Sequence, residues 1–118
     1  MNKFIAPQNT DLIISEAQKE ELYHKLIEQL RKDFLLANEN LDIADSITPI
    51  ELKIQLHKKV YLLVQNKFNE YLNLLYIIDV KEDEIKKLDG FNLTELAEQV
   101  SYLILKREWQ KVWYRNRY

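Results

Sequence analysis

The stretch from Thr48 to Asp79, TPIELKIQLHKKVYLLVQNKFNEYLNLLYIID, constrains the fold more than any other part of the chain. It opens on Thr48-Pro49-Ile50-Glu51. Thr caps a helix through its side-chain oxygen, Pro suits the first helical position because its missing N–H has no partner there, and Glu51 completes a capping box. Leu52, Leu56, Val60, Leu63, Val64, Tyr71, Leu74, Leu75 and Ile78 then recur at helical spacing and form one stripe about 140° wide. Leu72, Tyr76 and Ile77 add apolar cover on the remaining sides of the second half. The pattern predicts one central helix over 49–78, roughly 45 Å long, whose second half is buried by several neighbours. Leu74–Val80 also reads as a short buried strand, but a lone strand has nothing to pair with, so a helix is preferred.

Composition supports an all-helical chain. Gly occurs once and Pro twice in 118 residues, too few for the tight turns of an all-β fold. Leu, Lys, Glu and Gln are abundant, and all favour helix. The length fits a single domain over 1–118, able to bury roughly 65% of its unfolded surface. No cysteine is present, which excludes disulfides, thiol nucleophiles and Cys-ligated metals. No uncharged apolar window is long enough for a transmembrane helix, and the first residues lack the apolar run of a signal peptide. A cytoplasmic protein is expected.

Before the central helix, residues 1–14 read as an N-terminal arm interrupted by Pro7. Ser15 with Gln18 fits a capping box for a helix over 15–37, in which Tyr23, Leu26, Ile27, Leu30, Phe34 and Ala37 share a face. Residues 38–47 form a loop. Its acids, Glu39, Asp42 and Asp45, lack the spacing and central Gly of a calcium loop. After the central helix, Asp79 with Glu82 suggests a cap for a short acidic helix over 80–88, and Gly90 stands where a left-handed C-cap is expected. Asn92 and Glu95 cap a last helix over 93–115. The expected fold is all-α, a small helical bundle of three long helices plus one short helix.

The last helix changes face. Leu93, Leu96, Ala97, Val100, Leu103 and Ile104 make one stripe; Tyr102, Leu105, Trp109, Val112 and Trp113 make a second on the opposite side. Two stripes require two packing partners, and the three other helices account for only the first. The second stripe is therefore the candidate interface, since Trp, Tyr and Arg are favoured at protein contacts.

Charge is uneven along the chain. Residues 106–118 carry Lys106, Arg107, Lys111, Arg115 and Arg117 against Glu108 alone, whereas the first 105 residues hold twelve basic against eighteen acidic side chains. Basic residues interleaved with Trp109, Trp113, Tyr114 and Tyr118 could bind phosphates and stack on bases or meet an anionic membrane surface. An acidic chain as a whole disfavours nucleic acid.

Catalytic signatures are weak. Glu21-Leu-Tyr-His24 has the E-x-x-H spacing of a di-iron ligand pair, but the only other histidine, His57, has Ile54 three residues before it, so the second pair is missing. No phosphate loop can be built with one Gly. No catalytic, cofactor-binding or metal residue is assigned, and no cofactor is expected. The sequence points to a non-enzymatic helical interaction module, a homodimer or a subunit of a larger assembly, that self-associates through Tyr102, Leu105, Trp109, Val112 and Trp113. The alternative is nucleic-acid binding through Lys106, Arg107, Lys111, Arg115 and Arg117.

Overall fold

A computed structural model describes residues 3–117; Met1 and Asn2 of the arm and Tyr118 of the basic–aromatic end lie outside the described residues. Among those described, six helices and no strand are found: α1 (Thr10–Lys19), α2 (Tyr23–Leu36), α3 (Pro49–Asn66), α4 (Phe68–Ile78), α5 (Glu82–Lys86) and α6 (Leu93–Arg115). The all-α bundle matches the sequence reading, with two of the expected helices each divided in two.

The helix expected over 15–37 is α1 plus α2. Its start lies earlier, at Asn9, whose Oδ1 accepts the Leu12 N–H at 2.8 Å, so Thr10–Ile14 are helical rather than part of an arm. The break falls at Glu21, which adopts φ 60°. The apolar phase explains it. Ile13, Ile14 and Ala17 are buried along α1, and continuing that row would put Glu20, Glu21 and His24 in the core. Turning the chain at Glu21 instead brings Leu26, Ile27, Leu30 and Phe34 inward.

The same argument applies to the expected central helix. Leu56, Val60 and Leu63 lead at helical spacing to Lys67 and then Tyr71 and Leu74, so a straight helix would place an ammonium in its apolar row. Lys67 leaves helical geometry at φ −142°, ψ 63° and stays exposed. The ladder almost survives the break: the Lys67 N–H still donates to Leu63 at 2.8 Å, and the Tyr71 N–H donates to Lys67 at 2.9 Å.

Helix ends are closed without glycine. At Glu21, Asn38 and Asp79 the backbone is left-handed. After each, an N–H reaches back five residues: Leu22 to Ala17 (2.8 Å), Glu39 to Phe34 (2.9 Å) and Val80 to Leu75 (3.0 Å). These are Schellman closures, which satisfy carbonyls left over at a helix end. Asp79 thus ends α4 rather than capping α5. Gly90, expected to be a left-handed cap, has no positive φ. Its reason is proximity: a Cβ there would lie 2.6 Å from the Leu96 nitrogen.

The organising helix is α6, not the Thr48–Asp79 stretch. It packs against α1, α2, α3 and α4. Its buried residues, including Ala97, Val100, Ile104, Leu105, Trp109 and Val112, run right round its circumference. Such a helix needs neighbours on every side. The loop before α3 is pinned to α2: the Tyr23 hydroxyl donates to the Ile47 carbonyl at 2.6 Å, and Arg31 bonds the Ile43 carbonyl and pairs with Asp45. Among the described residues no helix is long and apolar enough to cross a membrane.

Candidate functional site

The second stripe of α6 lies inside the fold. Leu105, Trp109, Val112 and Trp113 are buried, and Tyr102 is half-buried. Their cover is α1 and the segment before it. Trp109 Nε1 donates to Glu16 Oε2 at 2.7 Å, Tyr102 donates its hydroxyl to the Pro7 carbonyl at 2.7 Å, and Phe4 meets the Trp113 ring edge-on with centroids 5.6 Å apart. In the sequence the stripe looks surplus because Thr10–Ile14 read there as an arm. As α1 they supply the partner it needs, and these five residues do not form a free surface.

The five cations are also engaged within the chain. Lys106 pairs with Glu84 and Arg107 with Asp79 at 3.0 Å. Lys111 pairs with Asp33 at 2.7 Å, and Arg115 donates to the Gln29 side-chain oxygen at 2.8 Å. Arg117 pairs with Glu20 at 2.6 Å and stacks over Trp113. The acidic body and basic end are thus complementary halves of one intramolecular contact.

One buried cluster stands out electrostatically. Glu108 is fully buried, and neither carboxyl oxygen has a well-directed hydrogen-bond partner. Lys111 Nζ lies 3.1 Å from its Oε1, close enough for charge attraction but poorly aimed. Burial, then the neighbouring Asp33, push the Glu108 carboxyl up to about 9. Asp33 feels the same burial, but the Glu108 carboxyl beside it and hydrogen bonds from Lys111 and Gln29 outweigh it and hold that carboxyl below its usual range. At neutral pH the consistent state is a protonated Glu108 beside an ionised Asp33. Such a split resembles an acid–base pair, but these groups lock α2 to α6 and line neither of the two surface depressions described for the chain.

The larger depression is an open cleft of about 1120 Å³ between α1, α3, α5 and α6. Apolar residues such as Ile54, Leu88 and Leu103 form its floor. Its rim balances Lys53, Lys58, Lys87 and Lys106 against Asp11, Glu84, Glu95 and Glu98. His57 lies there with Nε2 3.0 Å from the Thr94 carbonyl. Ser101 donates to the Ala97 carbonyl at 2.8 Å, a back-bond along its own helix rather than an activated nucleophile. Glu21 and His24, the E-x-x-H pair, are split by the α1–α2 turn and exposed. Among the described residues no three of His, Cys, Asp or Glu gather as a metal ion would need.

The feature that sequence reasoning missed is the outer face of α4. Phe68, Leu72 and Tyr76 are 54%, 45% and 81% exposed, and their four-residue spacing puts them in one row. Asn69 and Asn73 flank the row and are exposed too, so the outer face of this helix is apolar and amide without a charge on it. Glu70, near its first turn, is the one acidic or basic residue within Phe68–Ile78. The sequence signal is Leu72 and Tyr76, which lie off the main stripe, where periodicity alone does not separate a solvent-facing row from one covered by neighbouring helices.

No protein-family model matches the chain, and no curated protein or solved structure matches it.

Proposed function

We propose that this chain is a non-enzymatic helical protein-interaction module that self-associates, and that it does so through the outer face of α4. The observation that carries this reading is the exposed row Phe68, Leu72 and Tyr76 on a face free of charge. Burying a fully exposed apolar side chain gains about 1.5–3 kcal/mol, of which half-covered Phe68 and Leu72 have about half left to gain, and contiguous exposed apolar surface rimmed by polar groups marks contact sites. The basic–aromatic end of α6 lends this reading little surface, because Trp109 and Trp113 are buried and its cations are engaged within the chain. For the same reason nucleic-acid binding gains no support from the placement of Lys106, Arg107, Lys111, Arg115 and Arg117. The cytoplasmic setting and homodimeric state expected from the sequence stay part of the proposal.

Amide chemical shifts followed on dilution test it. Shifts that depend on concentration and cluster in 65–76 are expected. Changes confined to 102–117 would return the contact to α6. Spectra unchanged from micromolar to millimolar concentration would remove self-association.

A further inference from the structure

We infer that the Asp89–Gly90 bond is this chain's site of isoaspartate formation, and that Gln99 sets its rate by holding both reacting groups. Glycine occurs once in the chain, directly after Asp89. Every other aspartate is followed by a residue whose side chain crowds the next backbone nitrogen, and Gly90 has no Cβ to do so. The bond also lies outside the helices, between α5 and α6, and Asp89 is exposed. A surface connection of this kind can turn its backbone toward ring closure and admits the water that opens the ring.

The reaction rearranges the chain's own atoms. The Gly90 nitrogen attacks Cγ of the protonated Asp89 carboxyl. A C–N bond forms, and the carboxyl OH departs as water with the proton that the nitrogen loses. Water then adds to the main-chain carbonyl of the five-membered imide and breaks its bond to nitrogen. The chain now runs on through Cγ, and the α-carboxylate is left free; addition at Cγ restores aspartate instead. One water is lost and one regained, so the mass is unchanged.

In the fold one side chain engages both reacting groups. Gln99 Oε1 accepts the Gly90 N–H at 2.9 Å and the Asp89 N–H at 3.3 Å, and Gln99 Nε2 donates to Asp89 Oδ1 at 2.7 Å. A primary amide suits this double task because it carries an acceptor and a donor side by side. Ring closure strips the Gly90 proton and brings Cγ onto the nitrogen. The Gly90 bond to Gln99 must break first, and the carboxyl must turn out of its bond to Nε2. Gly90 is also pressed against α6, where a Cβ would lie 2.6 Å from the Leu96 nitrogen. The turn therefore reaches the reactive geometry by opening off α6, and Gln99 is the latch.

Peptide mapping after incubation at neutral pH and physiological temperature tests this, since isoaspartyl and aspartyl peptides of equal mass separate by chromatography. In urea, where the turn is open, isoaspartate should accumulate at Asp89 ahead of every other aspartate. In the folded wild type it should form there more slowly. Gln99→Ala should speed the folded protein roughly 3–10-fold, the factor one hydrogen bond supplies. Gln99→Met keeps the length of the side chain without its amide and should act alike, which separates the bonds from the packing. Val112→Ala loosens the far half of α6 with the Gln99 amide in place and should leave the rate at the wild-type value. Circular dichroism confirms that each variant is folded. Isoaspartate appearing first at another aspartate in urea overturns the site. Rates in Gln99→Ala and Gln99→Met equal to wild type, or matched by Val112→Ala, overturn the role of Gln99.

Discussion

Trp109 and Glu16 are 93 positions apart in sequence, yet the indole Nε1 donates to the Glu16 carboxylate at 2.7 Å. The bond fixes α6 against α1, and the Trp109 ring around it is fully buried. Trp109→Ala should therefore cost about 3–5 kcal/mol of folding stability, read as a fall in the urea midpoint. Trp109→Phe keeps most of the apolar volume but leaves Glu16 without its donor, and should cost about 1–2 kcal/mol. A Trp109→Ala protein with native stability and altered mass only would place the ring at an interface instead.

The Asp33–Glu108 pair predicts an unusual pH dependence. The folded Glu108 carboxyl titrates near 9 against an ordinary 4.5, so between those values the folded state holds a proton the unfolded chain has released. Stability from this group is full below pH 4.5 and falls as pH rises toward 9. Asp33, shifted down, works the other way and loses stability only in acid. Glu108→Gln keeps the shape of the side chain beside Asp33 and removes its ionisable proton. It should be about 1–3 kcal/mol more stable than wild type at pH 8.5, with the gap closing near pH 5. Urea titrations at both pH values read this, and a gap that does not change with pH would contradict it.

Left-handed Glu21 closes α1 where most chains place glycine. An L side chain in that conformation costs about 1 kcal/mol, and among the described residues no ion pair repays it at Glu21. Glu21→Gly should accordingly raise stability by a few tenths to about 1 kcal/mol, visible as a higher melting temperature. Gly90→Ala should do the reverse. The new methyl would meet the Leu96 nitrogen at 2.6 Å and Cα at 2.7 Å, and backbone does not yield cheaply, so a loss of about 1–3 kcal/mol is expected. Equal melting temperatures for Gly90→Ala and wild type would refute the close approach.

What the sequence revealed was local chemistry. Thr48 caps α3 and Asn92 caps α6 as read, their side chains accepting from Glu51 at 3.3 Å and Glu95 at 2.9 Å, because a cap is decided within four residues. The two breaks carried no Gly or Pro and showed only as phase errors: Lys67 in line with Leu63 and Tyr71, and Glu21 in line with Ala17 and His24. Missing the helix that Asn9 caps had the largest consequence. Without α1, the stripe through Trp109 had no cover and read as a site. The basic residues misled for a related reason, since their acidic partners Glu20, Asp33, Asp79 and Glu84 come from four separate parts of the chain. Which acid meets which base is a property of the tertiary fold.

Sedimentation equilibrium of four samples tests the central claim most directly: wild type, Leu72→Lys, Leu72→Glu, and an equal mixture of the two variants. Leu72 is exposed and its replacement leaves the core intact, so all should keep native helicity. The wild type should show a mass that rises with concentration toward a dimer. Each charged variant alone should be a monomer, its affinity reduced at least ~30-fold by like charges facing one another, and the mixture should regain the dimer. A wild type that remains monomeric, or a Leu72→Lys protein that dimerises as the wild type does, would contradict the account.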